Sequence, residues 1–165
     1  MGTTIMDATG LHRTVIRLSH EIGERNKGYQ NVVLVGVKES GTIVGRRIQS
    51  YIRDTEGYEL PLATLDPDKG GELGFSIDKK VVVLCDGILF TGRSAVKSVE
   101  ALFRLGNPQK IQLLVLVDRG GRQLPVRADF VGKNVPTSKD EFIEVSFAEL
   151  GKADCFSIIR GKHEA

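Results

Sequence analysis

Cysteine is scarce in this chain. Its two cysteines, Cys85 and Cys155, lie far apart within or beside apolar stretches, with neither Cys-x-x-Cys spacing nor a histidine-rich tract nearby. Because zinc sites are built from closely spaced thiolate and imidazole ligands, the sequence excludes a zinc site. Free cysteine is among the most buried residue types, and we therefore expect both cysteines to be buried thiols.

Long apolar runs and a secretion signal are also lacking. No apolar segment approaches the length needed to cross a bilayer. The first residues do not combine a basic start with an apolar core, so we expect a cytoplasmic protein without a membrane role. A net charge of +2, with 41% hydrophobic and 27% charged residues, is ordinary for a globular protein. It neither requires nor excludes binding to nucleic acid.

Length and pattern predict one α/β domain over residues 1–165. The predicted strands cover 31–37, 58–65, 81–84 and 111–117, and the predicted helices cover 11–27, 42–53 and 94–105. On the last helix, the residues expected to face inward are Val96, Val99, Leu102 and Phe103. Such alternation is typical of a central parallel sheet flanked by helices, whose ligands bind at the carboxyl ends of the strands.

A glycine-containing turn follows the most apolar strand. After 81–84 come Asp86 and then Thr91-Gly-Arg-Ser, which opens a helix. Backbone N–H groups at a helix start lack intrahelical partners and the helix dipole is positive there, so this turn favours a phosphate. Thr91 and Ser94 would add hydroxyl donors, and Gly92 would allow close approach. Asp86 would accept hydrogen bonds from sugar hydroxyls. Alternatively, Asp86 and Ser94 are only a turn residue and a helix cap.

This segment resembles the phosphoribosyl-diphosphate motif of type I phosphoribosyltransferases, which combines an apolar strand, two acids and a Thr-Gly-x-Ser/Thr turn. Three further segments are similar to one subfamily, the PyrR attenuators of pyrimidine operons: 20–28, 111–120 and 122–138. The resemblance implies the type I phosphoribosyltransferase fold. It also implies binding of messenger RNA in the presence of a uridine nucleotide and, in many members, uracil phosphoribosyltransferase activity.

The resemblance assigns roles to individual residues. The 5′-phosphate would be held by the turn residues Thr91, Gly92, Arg93 and Ser94. Asp86 would bind the ribose hydroxyls. The wall that faces uracil would consist of Phe130, Val131 and Lys133. Ordinary core packing explains Phe130 and Val131 equally well.

Three features depart from the subfamily pattern. Gly87 replaces the second acid, which removes contacts that would favour transfer as positive charge develops on the ribose. The pyrophosphate turn reads Glu39-Ser40-Gly41 where the subfamily has Thr-Arg-Gly. Glu39 would repel a polyanion there, unless it points to solvent. The long hood loop of the family is shortened to 66–80, which is too short to close over the site.

In the subfamily a basic dimer surface binds an RNA stem-loop through phosphate contacts that depend strongly on salt. The matching positions in this chain are Arg17, His20, Arg25, Arg122, Arg127 and Lys133. Two positions differ, since Ile16 replaces a threonine and Gly121 a histidine. The alternative is a solvated helix face whose charges are partly neutralised by Glu21 and Glu24.

We expect a homodimer or larger homo-oligomer that binds UMP or UTP, couples it to RNA and regulates pyrimidine genes, with weak or lost transferase activity. The alternative is an active uracil phosphoribosyltransferase, which makes UMP from uracil and phosphoribosyl diphosphate with Mg²⁺. A third possibility is a ligand-binding protein that retains only the phosphate pocket. We expect no tightly bound cofactor and no metal site of the protein itself.

Overall fold

The computed structural model describes residues 2–161, so Met1 and 162–165 of the predicted single domain lie outside the described residues. The elements are, in chain order, β1 (Thr3–Met6), α1 (Ala8–Arg25), β2 (Val32–Val37), α2 (Lys38–Glu56), β3 (Leu62–Leu65), β4 (Val81–Leu89), α3 (Arg93–Leu105), β5 (Lys110–Asp118), β6 (Phe130–Asn134), β7 (Glu141–Ser146), a short 3-10 turn (Ala148–Leu150) and β8 (Cys155–Arg160).

Two sheets organise these elements. The five-stranded sheet has the order β3-β2-β4-β5-β6, and all of its pairings are parallel. The carboxyl ends of its strands therefore lie at one edge. The predicted central parallel sheet is confirmed. A three-stranded antiparallel sheet of order β1-β8-β7 stands beside it and was not predicted.

Apolar, β-branched runs explain why the central strands lie in the interior. All six residues of β2 are buried, as are the first five residues of β4. Such runs suit parallel strands that are covered on both faces. Helices α1 and α2 cover one face through residues such as Leu18 and Ile48, and α3 covers part of the other through Leu102. Within residues 2–161, no helix is both long and apolar enough to span a membrane.

Several local predictions differ from the structure. α2 begins at Lys38 instead of residue 42, so the turn Glu39-Ser40-Gly41 is part of its first helical turn. β3 is shorter than predicted, whereas β4 continues past Asp86 to Leu89. Phe103 was expected to face inward, but it is 59% exposed because it lies, with Val96 and Val99, on the side of α3 that borders an open apolar groove. Cys85 is buried as expected, whereas Cys155 is only half-buried and contacts the Ser157 hydroxyl.

Candidate functional site

The predicted phosphate turn lies between the carboxyl end of β4 and the start of α3. Gly92 is the N-cap of α3, with a φ of 92°, and no side chain caps the helix. A Cβ at this position would lie 3.3 Å from the Cβ of Val126, so the chain after β5 packs closely against the turn. The helix start therefore keeps its positive end open to an anion.

Hydrogen bonds hold the turn in shape. The Arg93 N–H donates to the Thr91 hydroxyl at 3.3 Å, and the Thr91 carbonyl accepts from the N–H groups of Gln123 and Leu124 at 2.9 and 3.1 Å. The Arg93 guanidinium donates to the Gln123 side-chain oxygen at 3.0 Å, while Ser94 is exposed. The four predicted phosphate residues thus form one continuous turn. Their role in binding phosphate stays a prediction.

Asp86 lies in β4 with limited access to solvent. One carboxylate oxygen accepts a hydrogen bond from the N–H of Gly87 at 2.8 Å. Burial raises the pKa of Asp86 to about 6, although the Gly87 N–H and the charge of Lys38 oppose this rise. The carboxylate therefore titrates just below neutral pH. When ionised, it can accept hydrogen bonds from two hydroxyl groups.

Gly41 and Gly87, which lie near Asp86, differ in how much room each leaves for a side chain. A Cβ at Gly41 would lie 2.2 Å from the Cys85 carbonyl oxygen, so α2 can approach β4 only because this residue is glycine. A Cβ at Gly87 would meet only the Cβ of Ser40, at an ordinary 3.5 Å. The missing second acid therefore does not result from lack of space.

The degenerate pyrophosphate turn opens α2. Lys38 has a φ of 53°, and the N-cap of the helix, Val37, makes no side-chain capping bond. Glu39 is exposed and lines a polar cleft whose walls include Arg46 and Glu149. Asp86 does not line this cleft. A carboxylate in the first helical turn is also favourable with the helix dipole. These positions favour the alternative in which Glu39 points away from the sugar.

The short loop between β3 and β4 contacts both halves of the site. Asp68 forms ion pairs with Lys38 of α2, at 3.6 Å, and with Lys97 of α3, at 3.2 Å. The Lys97 ammonium, through its hydrogen bond and charge, lowers the pKa of Asp68, and Lys38 lowers it further. Ile77 anchors the loop in the core. The loop therefore places an anion between two cations beside the predicted phosphate positions.

The predicted wall facing uracil begins at a buried residue, Phe130. Its ring is only 3% exposed and lies opposite Leu114, in the interior part of the sheet. The Arg25 guanidinium covers the ring at 5.6 Å from its centroid. This burial favours the alternative of ordinary core packing for Phe130, and the role of the wall in binding uracil stays a prediction. Val131 packs against the core on the α3 side, and the Lys133 ammonium points to the carbonyl oxygen of Ile5, at 3.4 Å.

An aromatic cluster that was not predicted lies at the end of β5. The Arg119 guanidinium lies 3.8 Å from the ring centroid of Phe90 and 5.9 Å from that of Phe142. Both rings are substantially exposed. A signal was present, since Phe90 directly precedes the phosphate turn and Phe142 is an aromatic residue beside the acidic Glu141 in β7. It could not be recognised without knowing that these segments meet.

The predicted RNA-binding residues fall into separate groups. Arg17 donates to the carbonyl oxygen of Gly132 at 2.6 Å, and Arg25 pairs with Asp129 at 3.1 Å, so both also hold α1 against the edge strand β6. His20 forms a hydrogen bond with the hydroxyl of Tyr51. Arg122 donates to the carboxylate of Asp118 and to the carbonyl oxygens of Phe90 and Val126. Arg127 is exposed. The role of these six residues in binding RNA stays a prediction.

Across the described part of the chain, no group of three or more histidine, cysteine, aspartate or glutamate side chains could hold a metal ion. Asp86 alone is a single carboxylate. A divalent cation would therefore have to enter with the oxygens of its own ligand.

Comparisons with known proteins agree with the fold. The family model described as "Phosphoribosyl transferase domain" matches residues 2–149. The chain is 43% identical over 169 residues to the bifunctional protein PyrR of Clostridioides difficile (strain 630), which covers 93% of this chain and 96% of the relative. It is 45% identical over 161 residues to the bifunctional protein PyrR of Caldicellulosiruptor bescii, with 88% of each covered.

Solved structures support the same fold. The hypoxanthine phosphoribosyltransferase of Trypanosoma cruzi superimposes with a TM-score of 0.79 at 15% identity, over 97% of both chains. A hypoxanthine-guanine phosphoribosyltransferase (hpt-2) from Bacillus anthracis gives 0.77 at 18% identity, over 95% of this chain and 97% of the other. At these identities the likeness concerns the fold alone, and it confirms the predicted type I phosphoribosyltransferase fold. Together with the relatives that match nearly the whole chain, it shows that the chain belongs to the phosphoribosyltransferase family and, within it, to the PyrR subfamily.

Proposed function

We propose that this protein is a cytoplasmic regulator of pyrimidine genes, which binds a uridine nucleotide at the carboxyl edge of the sheet and has weak or no transferase activity. One observation carries the proposal: the phosphate turn is complete at an uncapped helix start, whereas Asp86 is followed by Gly87 instead of a second acid. Binding a monophosphate requires phosphate and ribose contacts. Transfer requires, in addition, stabilisation of the charge that develops in the transition state.

Nucleotide binding is tested by calorimetry with UMP, GMP and phosphoribosyl diphosphate. We expect UMP to bind more tightly than phosphoribosyl diphosphate. Ser94→Ala should weaken the binding of UMP roughly 10- to 150-fold, since a hydrogen bond to a charged group contributes about 1.5–3 kcal/mol. Ser50→Ala, on the far helix α2, is the matched control and should bind normally. The proposal is refuted if the protein binds none of these ligands.

RNA binding is the second part of the proposal. It is supported by membership of the PyrR subfamily and by exposed cations, among them Arg127. We expect filter binding to an RNA stem-loop from the same operon to be increased by UMP and weakened by salt. Arg127→Ala should reduce the salt slope by about one unit, whereas Arg53→Ala should leave it unchanged. If no such RNA binds at low salt, this part of the proposal is wrong.

The proposed homodimer is supported by an apolar groove beside α3, lined by Val96, Val99, Phe103 and Ile111. Charged residues of both signs, including Lys110 and Asp129, border it, which suits contact with a second copy of the same surface. Light scattering should therefore report a dimer for the wild type and for Phe103→Leu. Phe103→Glu should yield monomers. If Phe103→Glu forms a dimer with the same dissociation constant as the wild type, the interface does not lie at this groove.

The second candidate function is an active uracil phosphoribosyltransferase. The retained Asp86 and phosphate turn favour it, as does high identity to relatives that are named bifunctional. In that case Mg²⁺ would arrive bound to phosphoribosyl diphosphate. Incubation with uracil, phosphoribosyl diphosphate and Mg²⁺, followed by detection of UMP, decides between the two functions. Absence of UMP at high protein concentration would exclude the enzyme.

A further inference from the structure

Arg119 is a charged residue in an unusual position. It follows the last residue of β5 and is only 6% exposed. Burial lowers the pKa of its guanidinium, although Glu141 opposes this effect. A buried guanidinium is costly unless its donors are used. The contacts of the Arg119 guanidinium must therefore offset the cost of burying it.

These contacts join three segments that are far apart in the chain. The Nε of Arg119 donates to the Thr137 hydroxyl at 2.9 Å, and one terminal nitrogen donates to the carbonyl oxygen of Glu141 at 2.7 Å. The flat face of the guanidinium stacks on Phe90, which directly precedes the phosphate turn. Its backbone N–H donates to the carbonyl oxygen of Leu89 at 3.0 Å. One side chain therefore links the phosphate turn to the segment Thr137–Phe142.

The segment Thr137–Phe142 brings an aromatic ring to the ligand edge of the sheet. A nucleotide with its phosphate at the start of α3 and its ribose at Asp86 extends along this edge. Phe142 is 49% exposed and Phe90 is 42% exposed, so part of each ring remains accessible to a ligand. An exposed ring beside a bound nucleoside offers a surface on which a base can stack.

Gly121 shows that the stacking on Phe90 has a steric requirement. A Cβ at Gly121 would lie 2.4 Å from the Phe90 ring. Any side chain at this position would therefore move the ring away from its place over Arg119. The glycine, which replaces the histidine of the subfamily, allows the Phe90 ring to lie there.

We propose that Arg119 is a positioning residue for nucleotide recognition. It sets the distance between the phosphate turn, through Phe90, and the base-side segment that carries Phe142, without touching the phosphate itself. This inference rests on the proposed nucleotide binding. It predicts that replacing the planar guanidinium weakens the binding of a nucleotide with its base but leaves the binding of a sugar phosphate nearly unchanged.

The experiment compares two ligands, UMP and ribose 5-phosphate, by calorimetry. Arg119→Lys keeps the positive charge but loses the planar fork and the stacking surface. We expect UMP to bind about tenfold more weakly to Arg119→Lys, while ribose 5-phosphate binds within about twofold of wild type. Phe90→Leu should also weaken the binding of UMP, whereas Phe90→Tyr, which keeps an aromatic ring, should bind UMP as the wild type does. Arg104→Gln, which removes a surface charge on α3, should change neither ligand.

The outcomes are distinct. If Arg119→Lys and Phe90→Leu both bind UMP as well as wild type does, the inference is overturned and the proposed function survives. If both ligands weaken equally, Arg119 merely stabilises the phosphate turn and the inference is again overturned. If the wild type binds neither ligand, the proposed function fails together with the inference. Thermal unfolding of each variant establishes that the compared proteins are folded, and Phe90→Leu, which changes an exposed ring, tests the same link if Arg119→Lys does not fold.

Discussion

Replacing Gly87 with aspartate restores the second acid of the phosphoribosyl motif and tests whether its loss limits transfer. The backbone has room, since a Cβ there meets only the Cβ of Ser40, at 3.5 Å. A hydrogen bond from a ribose hydroxyl to a charged group contributes about 1.5–3 kcal/mol. If that contact forms in the transition state, kcat should rise roughly 10- to 150-fold. The new charge should also raise the pKa of Asp86 above its value of about 6, which moves the rate optimum to higher pH.

The assay is UMP formation from uracil and phosphoribosyl diphosphate with Mg²⁺, followed over a range of pH. Gly87→Asn is the matched control because it has the same size and no charge, and it should yield a much smaller gain. Gly87→Ala reports any cost of the side chain alone. The reasoning is refuted if Gly87→Asp is folded, with an unfolding temperature close to that of Gly87→Ala, and yet forms UMP no faster than the wild type.

Three further predictions concern Asp86, Gly41 and Asp68. Because burial raises the pKa of Asp86 from 3.8 to about 6, the folded state binds the proton more tightly than the unfolded state, so this group makes the protein less stable as pH rises from about 4 to 6. Asp86→Asn should therefore flatten that part of the stability profile in urea titrations, with a gain of up to about 3 kcal/mol at pH 7. Gly41→Ala should destabilise the fold by several kcal/mol or prevent folding, because its Cβ would lie 2.2 Å from the Cys85 carbonyl oxygen, whereas Gly87→Ala should change the denaturation midpoint little. Asp68→Asn should increase the affinity for ribose 5-phosphate severalfold in calorimetry, because it frees Lys38 and Lys97 and removes a competing anion; unchanged affinity would show that the loop carboxylate does not compete.

Much of the fold could be predicted from local sequence. The buried run of β2 and the run at the start of β4 have no polar face, so they fit only a sheet that is covered on both sides. The antiparallel sheet could not be predicted in the same way. Its strands β1, β7 and β8 are short and mostly half-buried, and β1 pairs with β8 across nearly the whole length of the chain.

The candidate site also contains parts that could be predicted from the sequence and parts that could not. The phosphate turn was predictable because Thr91 to Ser94 are neighbours in sequence and the anion site is made by the helix start itself. The burial of Phe130 was not predictable, because the short strand β6 has no periodicity that shows how deep in the sheet its first residue lies.

The buried strand runs and the phosphate turn follow from residues that are adjacent in the chain, and the resemblance to the phosphoribosyl motif identifies the missing acid at Gly87. The ion pairs of Asp68 with two lysines, and the link from Arg119 to Phe90 and Glu141, could not be predicted from neighbouring residues. Those contacts depend on how distant segments pack, and packing follows from the burial of the whole core instead of any local pattern.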